Sequence, residues 1–307
     1  MSTPSRLIAD CLLLFTAAIW GLAFVAQKQG LETIGPFTFV GLRFALSALV
    51  VLPLAWREFA KTSEAGPMTG RDWTGTAGLI IAFFVAIILQ QVGMKTASVT
   101  NAGFLTALYV VFVPVVGLIV FRHAQSIVVW PACVIALAGV WLLNGGSFSH
   151  LVTGDWLMIA CAAATAVQIN LMGILVRRTR RPFTLCLWQN IVSAVGGCAL
   201  ALCFEPISLP GIAAGLWPLL YAGLISGGVG FAIQAYAQVH TPASDAAIIM
   251  SCEALFAAVG GALLMHEHLN AVSWAGCGLI FAALLLVELY PLVRKAKKAS
   301  PTDISVT

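Results

Sequence analysis

Ten apolar stretches, each close to the length needed to cross a bilayer, follow one another along a chain of 307 residues. They lie near 7–27, 37–56, 73–93, 98–121, 127–146, 154–176, 184–204, 216–238, 243–265 and 271–292. A helix needs roughly 20 apolar residues to span the hydrocarbon core, so ten of them with short loops consume most of the chain. The breaks are made of turn formers and charges: Gly35-Pro36, residues 57–72, Asn144-Gly145-Gly146-Ser147, residues 177–182 and Thr241-Pro242. Only 9% of residues are charged and 60% are hydrophobic. A soluble domain carries about 25% charged residues to cover its wet surface. Here the outer surface must face lipid, where backbone polar groups have to be satisfied internally. The expected fold is therefore all-α and integral to the membrane, with ten transmembrane helices and no soluble domain of ordinary size. The first stretch is longer than a signal-peptide core and ends in Gln27-Lys28-Gln29 without a cleavage site, so it is expected to be a permanent span.

Charge placement tests this division independently. With the N-terminus in the cytoplasm, the inside loops hold Arg6, Arg57, Lys61, Arg71, Arg122, Arg177, Arg178, Arg180, Arg181, Arg294, Lys295, Lys297 and Lys298. The outside loops hold only Lys28 and Lys95. This asymmetry is the one the positive-inside rule requires, and an error of one span would destroy it. Both termini are expected in the cytoplasm. The net charge of +4 thus reflects topology and contact with anionic lipid rather than nucleic acid.

The two halves also align. At a spacing of 144 residues Gln90 matches Gln234, Ala102 matches Ala246, Phe112 matches Phe256, Gly117 matches Gly261, and Trp130 with Cys133 matches Trp274 with Cys277. Asp10 matches Asp155 at 145, and Pro36-Phe37-Thr38 matches Pro182-Phe183-Thr184 at 146. Duplication of a five-span unit accounts for the ordered series. An odd number of spans forces the second copy to cross in the opposite sense, an architecture recurrent in secondary transporters. The expected organisation is a first repeat at 1–147, an inverted second repeat at 148–293 and a basic cytoplasmic tail at 294–307, with any substrate at the junction of the halves.

Ala18-Ile19-Trp20-Gly21-Leu22-Ala23-Phe24 in the first stretch resembles the W-G-x-x-F opening of the EamA family, within the drug/metabolite transporter superfamily. The Arg43-Phe44 pair, the segment Asn101-Ala102-Gly103-Phe104-Leu105-Thr106-Ala107-Leu108-Tyr109, and His266-Glu267-His268-Leu269 fit the same pattern. Ala254 stands where the family commonly has proline after the glutamate, which bears on how the ninth helix kinks, and His266 replaces a glycine. The resemblance covers essentially the whole chain. It implies an inner-membrane exporter of small metabolites, typically amino acids or related compounds, while the fold by itself does not name the cargo.

Polar residues inside the spans are the site candidates, because an intramembrane charge is costly and normally faces a cavity or a partner. Glu253, near mid-depth of the ninth span, can bind a substrate ammonium, carry a coupling proton, or hydrogen-bond a neighbouring helix. Arg43 can snorkel, bind a carboxylate, or pair structurally, and the structural role is favoured. Gln90 and Gln234 occupy matched positions, and Tyr109 is the counterpart of Glu253. Asn101, Gln168 and Asn170 are further candidates; interhelical bonding is the commoner use of such amides. Trp20 is too deep for the interfacial belt and either lines a cavity or packs, whereas Trp73, Trp130, Trp156 and Trp274 suit that belt. Gly227-Gly228-Val229-Gly230 suits close helix contact.

The eight cysteines behave as small buried hydrophobes, without C-x-x-C or metal-ligand spacing. His266-Glu267-His268 lacks the spacing of a zinc site and is expected as a turn. No cofactor or metal is expected. Without a Walker sequence, energy must come from an ion gradient, protons included, or from the substrate's own gradient. A membrane-embedded enzyme would need a catalytic pair or cluster within the spans, and a channel would need rings of polar residues. Neither pattern is present, and no feature sets an oligomeric state.

Overall fold

A computed structural model describes residues 3–60, 66–143, 152–266 and 270–299. Ten helical segments of the expected order carry the chain: α1 (Thr3–Gly30), α2 (Pro36–Ala60), α3 (Gly70–Gly93), α4 (Val99–Ile119), α5 (Val129–Leu143), α6 (Thr153–Thr179), α7 (Pro182–Phe204), α8 (Leu216–Ala237), α9 (Ala243–Leu264) and α10 (Ala271–Ala299). Eight of them are long and apolar enough to cross a membrane; the shorter apolar helices Val129–Leu142 and Ala271–Leu286, in α5 and α10, complete the ten. Most boundaries fall within four residues of the sequence expectation. The exception is α10, which continues through the basic residues to Ala299, so the expected tail begins as helix and its residues 300–307 lie outside the described part. The boundary between the repeats at 147 and 148 and the turn residues Glu267 and His268 also lie outside it.

Pairing of the helices is symmetric under exchange of the halves. Helix α2 packs along α7 and α5 along α10, so each pair maps onto itself. Helix α3 packs on α6 as α8 packs on α1, and α1 lies on the second half of α9 as α6 lies on the second half of α4.

The sense of the repeats is visible at α2 and α7. Glu58, near the end of α2, accepts hydrogen bonds from the Phe183 and Thr184 amides at the start of α7 (3.0 and 2.7 Å). Glu205, at the end of α7, accepts from the Phe37 and Thr38 amides at the start of α2 (both 2.8 Å). In each case the threonine hydroxyl adds a bond of 2.8 Å. Each helix opens on a proline, whose missing N–H costs nothing in a first turn, and the partner's carboxylate satisfies the amides that follow it. The helices therefore run antiparallel. Because each is the second helix of its repeat, the repeats are inverted.

Two helices are broken at matching positions. In α4 the helix Val99–Thr106 ends at Ala107 and resumes as Tyr109–Ile119; in α9 the helix Ala243–Met250 ends at Ser251 and resumes as Glu253–Leu264. Proline in the second half of α4 adds to its irregularity: Pro114 cannot bond the Val110 carbonyl, which accepts instead from Cys133 Sγ at 3.2 Å. The α9 break forms without proline, so Ala254 at the family's proline position does not abolish it. Helix α8 winds as a π-helix over Tyr221–Gly230. Small residues there admit α2 closely, as expected: a β-carbon on Gly228 would stand 2.7 Å from Val50 Cβ.

Exposure fits a lipid-facing exterior. Trp73, Trp130, Trp156 and Trp274 are all exposed, as anchors require. All eight cysteines are free, five of them buried, but Cys11, Cys198 and Cys203 are exposed. For those three the expectation of burial fails, because the apolar solvent lets a small thiol face outward as readily as inward.

Candidate functional site

The breaks in α4 and α9 bring Tyr109 and Glu253 together at the junction of the repeats. Each begins the second half of its helix, and the two side chains interact electrostatically. Both are buried and lie within hydrogen-bonding reach of each other, in a contact whose geometry leaves the Tyr109 hydroxyl and Glu253 Oε1 poorly satisfied. Buried polar atoms are satisfied in the great majority of cases, and here the Tyr109 hydroxyl and the Glu253 carboxyl group serve each other only weakly.

They face a cavity of about 50 Å³. Seven sequence candidates line it: Glu253 and Tyr109, with Trp20, Arg43, Gln90, Gln168 and Gln234. Trp20 is held by α8, its Nε1 donating to the Ser226 carbonyl (3.1 Å) within the π-helix and its ring 4.7 Å from that of Phe231. π-Helical segments recur at functional sites because they shift carbonyls out of register. Gln234 donates to Gln168 (3.4 Å) and Gln168 to Gln189 (3.5 Å), long bonds that leave Gln234 Oε1 unsatisfied.

Arg43 does not snorkel. It is 2% exposed, and no carboxylate pairs with it among the described residues. Its Nη1 donates to Gln27 Oε1 (2.7 Å) and Gln91 Oε1 (3.3 Å), while Nε has no partner. A charge at mid-membrane costs about 2.5–3.5 kcal/mol on insertion scales, and a hydrogen bond to a charged group returns roughly 1.5–3 kcal/mol. One short bond, one long one and the face of the Phe44 ring, 4.8 Å from the guanidinium carbon, hold the group, and its charge has no carboxylate partner among the described residues.

Two candidates lie elsewhere. Asn101 sits in the first turn of α4, where its backbone amide donates to the capping Ser98 hydroxyl (3.0 Å). Asn170 donates to the Val113 and Ala166 carbonyls (both 2.9 Å), binding α6 to the irregular half of α4. The sequence reading missed Gln27 and Gln91, which hold Arg43, and Thr106, Thr165 and Ser226 on the cavity wall. Gln91 directly follows Gln90, so a polar doublet was the available signal.

The two ends of the bundle differ. At one, Lys28 Nζ donates to the carbonyls of Met94 (2.9 Å) and Ala97 (2.8 Å), clasping the end of α1 to the α3–α4 turn. At the other, Arg177 makes the matching bond to the Gln238 carbonyl (3.3 Å). Arg6 pairs with Asp245 (2.7 Å) and Arg178 with Asp72 (2.7 Å) at that same end. A wide recess of about 710 Å³ opens there, bordered by Arg122, Asn170, Arg177 and Ser244.

Inverted halves, broken helices at their junction and a polar cavity between them define a membrane transporter rather than an enzyme. Both halves match the EamA-like transporter family, over residues 7–145 and 152–289. The chain belongs to that family, as its sequence resemblance implied. It is similar to an uncharacterized transporter of Archaeoglobus fulgidus, 29% identical over 92% of this chain and 87% of the other. It is also similar to the threonine/homoserine exporter RhtA of Escherichia coli, 28% identical over 96% of this chain and 95% of the other. A solved crystal structure superimposes with a TM-score of 0.75 at 14% identity, covering 95% of this chain and 99% of that one, which concerns the fold alone.

Proposed function

We propose that this transporter exports small amino acids or closely related metabolites across the cytoplasmic membrane by alternating access, with Glu253 as the central binding group. The observation that carries the reading is the buried Glu253 carboxyl group at the α9 break, met among the described residues only by a weak contact from Tyr109 and facing a cavity between inverted repeats. Helix breaks at the midplane are where transporters of this architecture place their cargo. The likeness to a threonine/homoserine exporter supports the substrate class. Both termini are assigned to the cytoplasm from the placement of basic residues. The wide recess then lies on the cytoplasmic side and the Lys28 clasp on the outer side, which suits a protein loading from within. The repeats are assigned to 1–147 and 148–293 and the basic tail to 294–307. Energy comes from a proton gradient carried on Glu253 or from the substrate's own gradient.

Proteoliposome counterflow of labelled L-threonine, L-homoserine and a wider amino-acid panel tests this. Wild type is expected to exchange at least one small amino acid, and Glu253→Gln to exchange it at least about tenfold more slowly. Intact counterflow with lost pH-driven uptake in the variant reassigns Glu253 from substrate to proton. No exchange of any panel member by wild type sinks the amino-acid assignment.

A further inference from the structure

Charge in the central cavity is divided between two walls. Glu253 supplies a buried carboxylate and Arg43 a buried guanidinium, both line the same space, and they do not pair with each other. Neither side chain is engaged by an ion-pair partner among the described residues, so both are open to a ligand that enters the space between them. The unsatisfied atoms differ in polarity between the two: beside Arg43 they are donors, Arg43 Nε and Gln91 Nε2, whereas Glu253 offers the acceptor Oε1, with the Tyr109 hydroxyl turned toward its carboxyl group.

We infer that Arg43 is a carboxylate subsite, positioned by Gln27 and Gln91, so that the cargo is a zwitterion with its carboxylate on Arg43 and its ammonium on Glu253. This rests on the amino-acid reading above and adds the group that distinguishes an amino acid from any other amine. An arginine fork suits a carboxylate because its N–H groups meet both oxygens. The amide oxygens of Gln27 and Gln91 hold Nη1, and the Phe44 ring lies 4.8 Å from the guanidinium carbon; all three are neutral, so a ligand carboxylate would be the first counter-charge the group meets. Size agrees with a small zwitterion: about 50 Å³ corresponds to roughly four water positions, close to the shared head of an amino acid with a short side chain.

The test uses wild-type protein in nanodiscs and three probes of one shape: L-threonine, L-threoninol, which lacks the carboxylate, and 2,3-dihydroxybutyrate, which lacks the ammonium. Thermal unfolding is followed against concentration of each. Threonine is expected to raise the midpoint, and threoninol to need at least a tenfold higher concentration for the same shift. Gln91→Leu is expected to weaken threonine about tenfold while leaving threoninol unchanged, a selectivity that a merely structural Gln91 would not show. Threoninol binding as well as threonine overturns the carboxylate subsite and leaves amine recognition by Glu253 standing. If none of the three shifts the midpoint, the amino-acid reading falls and the subsite with it.

Discussion

The first and second repeats share a skeleton and divide the chemistry. Both have a helix opening on Pro-Phe-Thr that is capped by the other repeat's glutamate, and both have a fourth helix broken one residue before the cavity-facing side chain. At that side chain they part. The first repeat places neutral Tyr109 there, the second Glu253, while in the second helices Arg43 of the first repeat stands at a spacing of 146 from Gln189 of the second. The first repeat thus contributes a guanidinium to the cavity and the second a carboxyl group, at positions that are not related to each other by the repeat. Duplication accounts for the symmetric scaffold; departures from symmetry give the cavity two chemically different sides.

If that division holds, mutating the charged member of a matched pair costs far more than mutating its neutral counterpart. Glu253→Gln is expected to reduce transport roughly tenfold to a hundredfold, the effect of losing a hydrogen bond to a charged group. Tyr109→Phe is expected to change it less than about fivefold. Initial rates in proteoliposomes at matched protein content measure both. Equal losses would mean that the two repeats share the binding task.

The skeleton should behave in the opposite way. Glu58→Ala and Glu205→Ala each remove the carboxylate that caps the other repeat's second helix, and each is expected to destabilise by about 1–2 kcal/mol. The two losses should agree closely when measured by denaturant titration in micelles. A large difference would break the symmetry of the crossed caps.

The smallest effect concerns the ends of the broken helices. Arg122 and His266, 144 residues apart, both adopt left-handed backbone, with φ of 54° and 55°. Glycine enters that region without the β-carbon penalty, which is the reason the family's glycine suits the position of His266. Arg122→Gly and His266→Gly are each expected to stabilise by about 0.5–1 kcal/mol in the same titration.

Much of the fold was legible because the bilayer leaves few choices. Span number followed from apolar length, and inversion from an odd number of spans per repeat, as the crossed caps of Glu58 and Glu205 bear out. The candidate site was legible in part. Glu253 and Arg43 stood out because charges are rare in hydrocarbon. The amides were harder, since one used as helix glue and one used at a site look alike in sequence. Asn170 went to the Val113 carbonyl and Gln168 to the cavity, although they are two residues apart on one helix.

By itself, the sequence determined that this chain forms membrane helices, how many, and that its halves are related by inversion. Those properties follow from local apolarity and from counting, because every backbone group in lipid must bond within its own segment. Tertiary structure alone decided which polar groups converge. The rotation of each helix about its axis, the place where α4 and α9 break, and the separation of Arg43 from Glu253 depend on packing between segments distant in the chain. Two adjacent residues point about 100° apart on a helix, so a small rotation, set by neighbours, determines whether Gln90 or Gln91 reaches Arg43.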